Sequence, residues 1–283
     1  ERYYSRDLEK FYKSRHGLID QYDNLPKIPD PVDMRKRISP IKLWFEQRGP
    51  NTNVHDITYI PGQPSELTQD HRRYINTWRS AVIPRVSGEP KPWLELFKYL
   101  TMDLTPEQCH WVLQWLAYPM QNIGAKLFSS VFIYSHAQGV GKNFLIDPFI
   151  AKIYGRNYVR EEGKSIESDF NPWAACKQFI FMDEIHLTLR AERIAAMNML
   201  KSLITNDTIP VNEKFQPKIY FPNYAQYWMA SNYSDALMID NSDRRTMVIH
   251  APESPLSEAF YRSLDDYARK DLKGIGQVYN YLM

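Results

Sequence analysis

Apolar positions in the second two thirds of the chain follow two alternating patterns. Between Pro92 and Asn122 they recur at helical spacing, and two helices are predicted there. The second starts at a clear signal: Thr105 can cap it, Pro106 suits its first turn, and Gln108 stands three residues past the cap. Val112, Leu113, Leu116 and Ala117 then form its apolar stripe. Beyond residue 126 the pattern becomes short apolar runs separated by amphipathic stretches. "LFSSVFIYS", "KQFIFMDE", a run within "KIYFPNYAQYWMASN", and "RRTMVIHA" read as buried strands. "KNFLIDPFIAKIYG", "RAERIAAMNMLKSLIT" and "PLSEAFYRSLDDYARKD" read as helices between or after them. Apolar strands alternating with helices predict a parallel sheet covered on both faces, an α/β domain.

The first part of the chain lacks such regularity. "LPKIPDPVDMRKRISP" is punctuated by prolines that prevent a long helix. "SPIKLWFEQRG" predicts a short helix from Ser39 to Gly49, and "DITYIPG" a strand running into a turn. The expected organisation is a small irregular α+β lobe over residues 1–89, a helical subdomain over 90–128, and the α/β domain over 129–283.

Composition narrows the picture slightly. The 283 residues are 43% hydrophobic, enough for a real core. The net charge of +2, from 35 basic and 33 acidic residues, gives no bulk case for nucleic-acid binding, so any such role needs a local patch. Cys109 and Cys176 match no metal-ligand spacing and are expected as two buried free thiols in a reducing compartment, which suits a cytoplasmic protein. No apolar run reaches the ~18 residues of a membrane span. The first residue is glutamate, so a processed or excised chain with more upstream is expected.

The chemistry concentrates around "YSHAQGVGKNF". A phosphate loop usually carries Gly, four residues, then Gly-Lys and a Ser or Thr. Here His136 replaces the first glycine and Asn143 the hydroxyl. Gly139, Val140, Gly141, Lys142, Asn143 and Phe144 remain as the candidate cradle. Its two glycines would let the backbone wrap N–H groups around an anion, and Lys142 would reach the β and γ phosphates. Asn143 could meet a magnesium ion through its amide oxygen or a water. Taken alone, a glycine-rich turn of no special purpose fits equally well.

A second element follows 41 residues after Lys142: four apolar residues, then Asp183 and Glu184. Carboxylates at the C-terminal end of a buried parallel strand stand where such sheets bind ligands. Asp183 would hold the metal and Glu184 would orient and deprotonate the attacking water. "YWMASN" ends in Asn232, a candidate probe of the γ phosphate, although asparagine also forms turns. Arg244 and Arg245 follow it, and one of them could act as an arginine finger in an adjoining subunit.

This combination resembles superfamily 3 helicases, the AAA+-like motors of small viruses, phages and plasmids. More closely, it resembles the helicase-like region that follows a primase or primase-polymerase domain. "GVGKN" is a familiar form of that family's phosphate loop, while His136 departs from it. "YINTWR" from Tyr74 resembles a signature preceding these helicases, and Phe170-Asn171 a short motif before the acidic strand. Ile209 to Lys218 resembles a hairpin that grips DNA in a central channel, with Lys214 and then Lys218 as backbone contacts. The resemblance covers roughly Asp70 to Ala251. It implies a P-loop NTPase fold over 129–283, ATP with Mg2+, a homo-hexameric ring, single-stranded DNA as partner, and an upstream primase or polymerase domain. Three rival readings stay open: a non-unwinding, DNA-binding ATPase or loader; a replication-assembly platform with little turnover; and a small-molecule kinase. His110, His186 and His250 are expected as packing or surface groups, and Trp111, Trp115 and Trp173 as core.

Overall fold

The computed structural model describes residues 3–5, 10–12, 20–22, 25–31, 34–47, 54–168, 171–212, 219–240 and 242–283. The chain divides into two units, Glu1–Thr58 with Ser65–Thr77, and Tyr59–Pro64 with Trp78–Met283.

The first unit is built from short elements. Strands β1 (Tyr3–Ser5) and β2 (Lys10–Tyr12) pair antiparallel, as do β3 (Ile28–Pro29) and β4 (Arg37–Ile38). Helix α1 (Pro40–Gln47) follows Ser39 as predicted. β5 (Asp56–Thr58), β6 (Glu66–Gln69) and β7 (Arg72–Asn76) form a three-stranded sheet with β7 central.

The second unit opens with helices α2 (Lys91–Leu100) and α3 (Pro106–Gln121). The predicted capping box is present. Gln108 N–H donates to Thr105 Oγ1 at 3.3 Å, and the Gln108 side chain accepts from Thr105 N–H at 2.9 Å. Such a cap contributes about 1 kcal/mol.

Five parallel strands form the central sheet: β8 (Ser130–Tyr134), β9 (Tyr158–Glu162), β10 (Phe179–Asp183), and two that follow a hairpin. The hairpin is β11 (Thr208–Val211) paired antiparallel with β12 (Ile219–Pro222); then come β13 (Gln226–Ser231) and β14 (Thr246–His250). The spatial order is β14-β8-β13-β10-β9. Successive side chains of a strand face opposite ways, so β8, β10 and β13 each feed two cores. Val131, Ile133, Phe179, Phe181, Trp228 and Ile249 pack with α2 and α3 on one face. Phe132, Ile180, Met182, Tyr227 and Met229 pack on the other with helix α5 (Arg190–Thr205).

The structure departs from the local expectations at four places. The helix expected from Lys142 to Gly155 begins only at Ile150, as α4 (Ile150–Tyr154); residues 142–149 are turns. Pro148 lacks an N–H and disfavours helical backbone at Asp147, so the helix cannot run through. The run "KIYFPNYAQYWMASN" holds two strands, one in the hairpin and one in the sheet. β9 was not foreseen, because its exposed and half-buried residues "YVREE" lie at the sheet edge and carry no apolar run. Helices α6 (Glu258–Arg269) and α7 (Lys273–Leu282) close the chain; α7 too was unforeseen.

Candidate functional site

The sheet order places the C-terminal ends of β8, β13 and β10 side by side. β8 runs into the glycine turn, β13 ends at Ser231 before Asn232, and β10 ends at Asp183 before Glu184. Ser231 fixes this edge: its hydroxyl donates to Ile185 O at 2.6 Å and accepts Tyr233 N–H at 3.0 Å. A cavity of about 440 Å3 opens there, lined by residues that include Gly139, Gly141, Lys142, Asn143, Asp183 and Asn232. Val140, Phe144, Glu184 and Tyr261 complete much of the wall.

The glycine turn has the backbone its composition requires. Gly139 and Gly141 have φ of 76° and 96°, in the left-handed region. A Cβ on Gly141 would come within 2.8 Å of Leu96 Cδ1 and 3.1 Å of Tyr261. The turn is held by Trp93, whose indole N–H donates to Leu145 O at 3.0 Å. Among the described residues, the N–H groups of Gln138 to Asn143 donate to no protein acceptor. Unpaired consecutive N–H groups beside a cavity are open to an outside acceptor.

Lys142 is only 7% exposed. Its ammonium donates to Asn232 Oδ1 at 2.8 Å, to Ser135 O at 3.1 Å and to Ala137 O at 3.3 Å. Burial lowers its pKa, with the Glu253 and Asp183 carboxylates opposing the shift. Asp183 is 4% exposed. One of its oxygens accepts Glu184 N–H at 2.9 Å, and the other accepts Asn143 Nδ2 at 2.6 Å and pairs with the Arg160 guanidinium. Burial raises the Asp183 pKa despite Arg160. Arg160, from edge strand β9, also pairs with Asp147, which accepts the Tyr158 hydroxyl at 2.5 Å. Glu184 is exposed and has φ of 52°, an unusual backbone for a residue with a Cβ.

Lys142, Asn143, Asp183, Glu184 and Asn232 are therefore brought to one cavity, together with the glycine turn. Arg244 and Arg245 are not. They precede β14, whose first residue pairs with Ser130 at the start of β8, the opposite end of the sheet from Lys142. A five-residue strand spans roughly 16 Å. Lys214, Lys218 and Phe170 lie outside the described residues; the hairpin strands that flank Lys214 and Lys218 are present. Asn171 packs against that hairpin, donating to Pro210 O at 2.9 Å.

Sequence reasoning missed Arg160, Asp147 and Glu253. No local pattern marks them, since each acts through a partner distant in the chain. Both cysteines are free but half-buried, less enclosed than expected. Trp115 is buried, and Trp111 and Trp173 pack partly buried against the cores. His250, expected as a packing or surface group, converges with His136 and Glu253. No helix among the described residues is long and apolar enough to cross a membrane.

Residues 133–245 match a family of unknown function, DUF5906. The chain is 26% identical over 227 residues to the DNA primase-polymerase of Nitratiruptor phage NrS-1. That alignment takes in 77% of this chain and 31% of the relative, so the chain spans about a third of that protein's length. Among solved structures, an apo structure of the NrS-1 C-terminal region superposes with a TM-score of 0.71 at 20% identity, covering 99% of this chain and 66% of that one. A second apo form gives a TM-score of 0.64 at 21% identity over 87% of this chain and 61% of that one. The chain thus shares the fold of the C-terminal region of NrS-1 and is related in sequence to a phage primase-polymerase.

Proposed function

We propose that this chain is the ATP-hydrolysing motor region of a phage-type DNA replication protein, a P-loop NTPase of the superfamily 3 helicase kind. The observation that carries this reading is the order β8-β13-β10 at the centre of the sheet. It gives the glycine turn, Asn232 and the Asp183-Glu184 pair a common cavity, although they lie up to about 90 residues apart. Relationship to a DNA primase-polymerase supports the setting in replication.

In this reading the open N–H groups of residues 138–143 bind the phosphates and the Lys142 ammonium neutralises the β and γ oxygens. Asn232, bonded to Lys142, holds that ammonium in register and senses the γ phosphate. Glu184, exposed at the cavity wall, orients the attacking water and takes its proton as the bond to the leaving diphosphate breaks. The oxygen donors Asp183 and Asn143 fit Mg2+, a hard cation, once the Arg160 guanidinium yields its place on Asp183. When bound, Mg2+ supplies further charge neutralisation at the phosphates. Arg244 and Arg245, at the far end of the sheet from their own Lys142, suit a finger offered to a neighbouring subunit in a hexameric ring. Lys214 and Lys218, which fall in sequence between β11 and β12, contact the backbone of single-stranded DNA in this reading, and the primase or polymerase domain lies upstream. A cytoplasmic location of the infected cell follows from that role.

Hydrolysis of ATP by the wild-type chain and by Lys142→Ala, with and without single-stranded DNA, tests this function. Displacement of one strand from a forked duplex separates a translocating helicase from a loader that hydrolyses ATP without unwinding.

A further inference from the structure

We propose that His136, His250 and Glu253 form a binding site for a divalent transition-metal ion of the zinc class, separate from the magnesium site at Asp183. The three donor atoms lie within 4.8 Å of one another. Glu253 Oε1 is 3.0 Å from His136 Nδ1 and 3.0 Å from His250 Nε2. Ligand atoms sharing a tetrahedral zinc at about 2.0–2.1 Å stand roughly 3.3 Å apart, so small side-chain movements seat an ion among them. Two imidazoles and one carboxylate form a donor set that zinc uses with a fourth position open to water. Nitrogen donors argue against magnesium or calcium, which favour oxygen.

The surroundings orient the ligands. His250 Nδ1 lies 3.2 Å from Asp103 Oδ2, and a carboxylate beside Nδ1 favours the tautomer that keeps its proton on Nδ1. In that tautomer the Nε2 lone pair is directed at Glu253 Oε1, also a lone-pair donor, and a cation between them satisfies both. Tyr134 stacks on the His250 ring with centroids 5.0 Å apart and meets the His136 ring edge-on at 6.2 Å. Glu253 is fixed from the other side, since His136 N–H donates to Oε1 at 3.1 Å and Ala137 N–H to Oε2 at 2.9 Å. His136 begins the glycine turn and His250 ends β14. An ion held by both would pin the start of that turn to the neighbouring strand.

Binding is measured on the nucleotide-free chain, so it is independent of ATP turnover. ZnCl2 is titrated against a chromophoric chelator, and CoCl2 is followed by its visible absorption. The expected result is one Zn2+ per chain, retained in Lys142→Ala, lost in His136→Gln/His250→Gln, and weakened about 10–100-fold in Asp103→Asn, which touches no metal. Circular dichroism and thermal unfolding establish that each variant is folded; Glu253→Gln provides a second ligand change if the double variant is not. Absence of stoichiometric zinc binding, or binding unchanged in the folded ligand variants, overturns the proposal.

Discussion

Asn143 donates its side-chain amide to Asp183 at 2.6 Å, joining the glycine turn to the end of β10 across 40 residues of sequence. The same Asp183 oxygen also pairs with Arg160 from the sheet edge. A guanidinium thus stands on the carboxylate that the proposed function assigns to the metal. In that reading the two cations would compete for one buried group, and burying Asp183 without either would be costly.

Arg160→Met should therefore destabilise the metal-free chain by about 1–3 kcal/mol, the lower part of that range being expected because Arg160 is about half exposed. Added Mg2+ should raise the melting temperature of the variant more than that of the wild type. Urea unfolding and a thermal melt with and without MgCl2 measure both. Equal magnesium responses would show that Arg160 does not occupy the cation position.

The two glycines of the turn should respond differently to alanine. At Gly139 nothing lies within 4 Å of an added Cβ, so the cost is that of left-handed backbone, about 1–2 kcal/mol. At Gly141 the Cβ also meets Leu96 at 2.8 Å, adding about 1–3 kcal/mol of overpacking. Chemical denaturation of Gly139→Ala and Gly141→Ala should rank them in that order, and the reverse order would contradict the packing described.

Lys126 gives a pH-dependent prediction remote from the cavity. Its ammonium is half-buried, donating to Ala225 O at 2.9 Å and Leu203 O at 3.3 Å, and desolvation lowers its pKa from 10.5 to about 7. Between those values the unfolded chain binds the proton and the folded chain does not, so stability due to this site rises with pH. The burial penalty is full below about pH 7 and relieved toward pH 10.5. Denaturation of wild type and Lys126→Met from pH 6.5 to 10 should show the wild type gaining on the variant; parallel profiles would refute it.

Much of the architecture was legible because its signals are local. The apolar runs of β8, β10, β13 and β14 and the cap of α3 need no tertiary information. Edge strand β9 was hidden by its charged residues. Helix α7 was hidden by two glycines that count against a helix. Their reason is contact: a Cβ on Gly274 would lie 2.0 Å from Tyr267 O, and one on Gly276 would lie 2.6 Å from Pro84 O. In the site, the glycine turn, the Asp-Glu pair and Asn232 were visible as short motifs. Arg160 and Glu253 were not, because their chemistry arises from strands and loops that meet only in the folded chain.

Steady-state ATP hydrolysis with MgCl2, in the presence and absence of single-stranded DNA, is the most direct test of the proposed motor. Wild-type turnover should rise with DNA, and Lys142→Ala should lose about 100-fold or more, since the ammonium acts on charge that develops in transfer. A folded, ring-sized wild-type particle without turnover, or a Lys142→Ala variant as active as wild type, would contradict it.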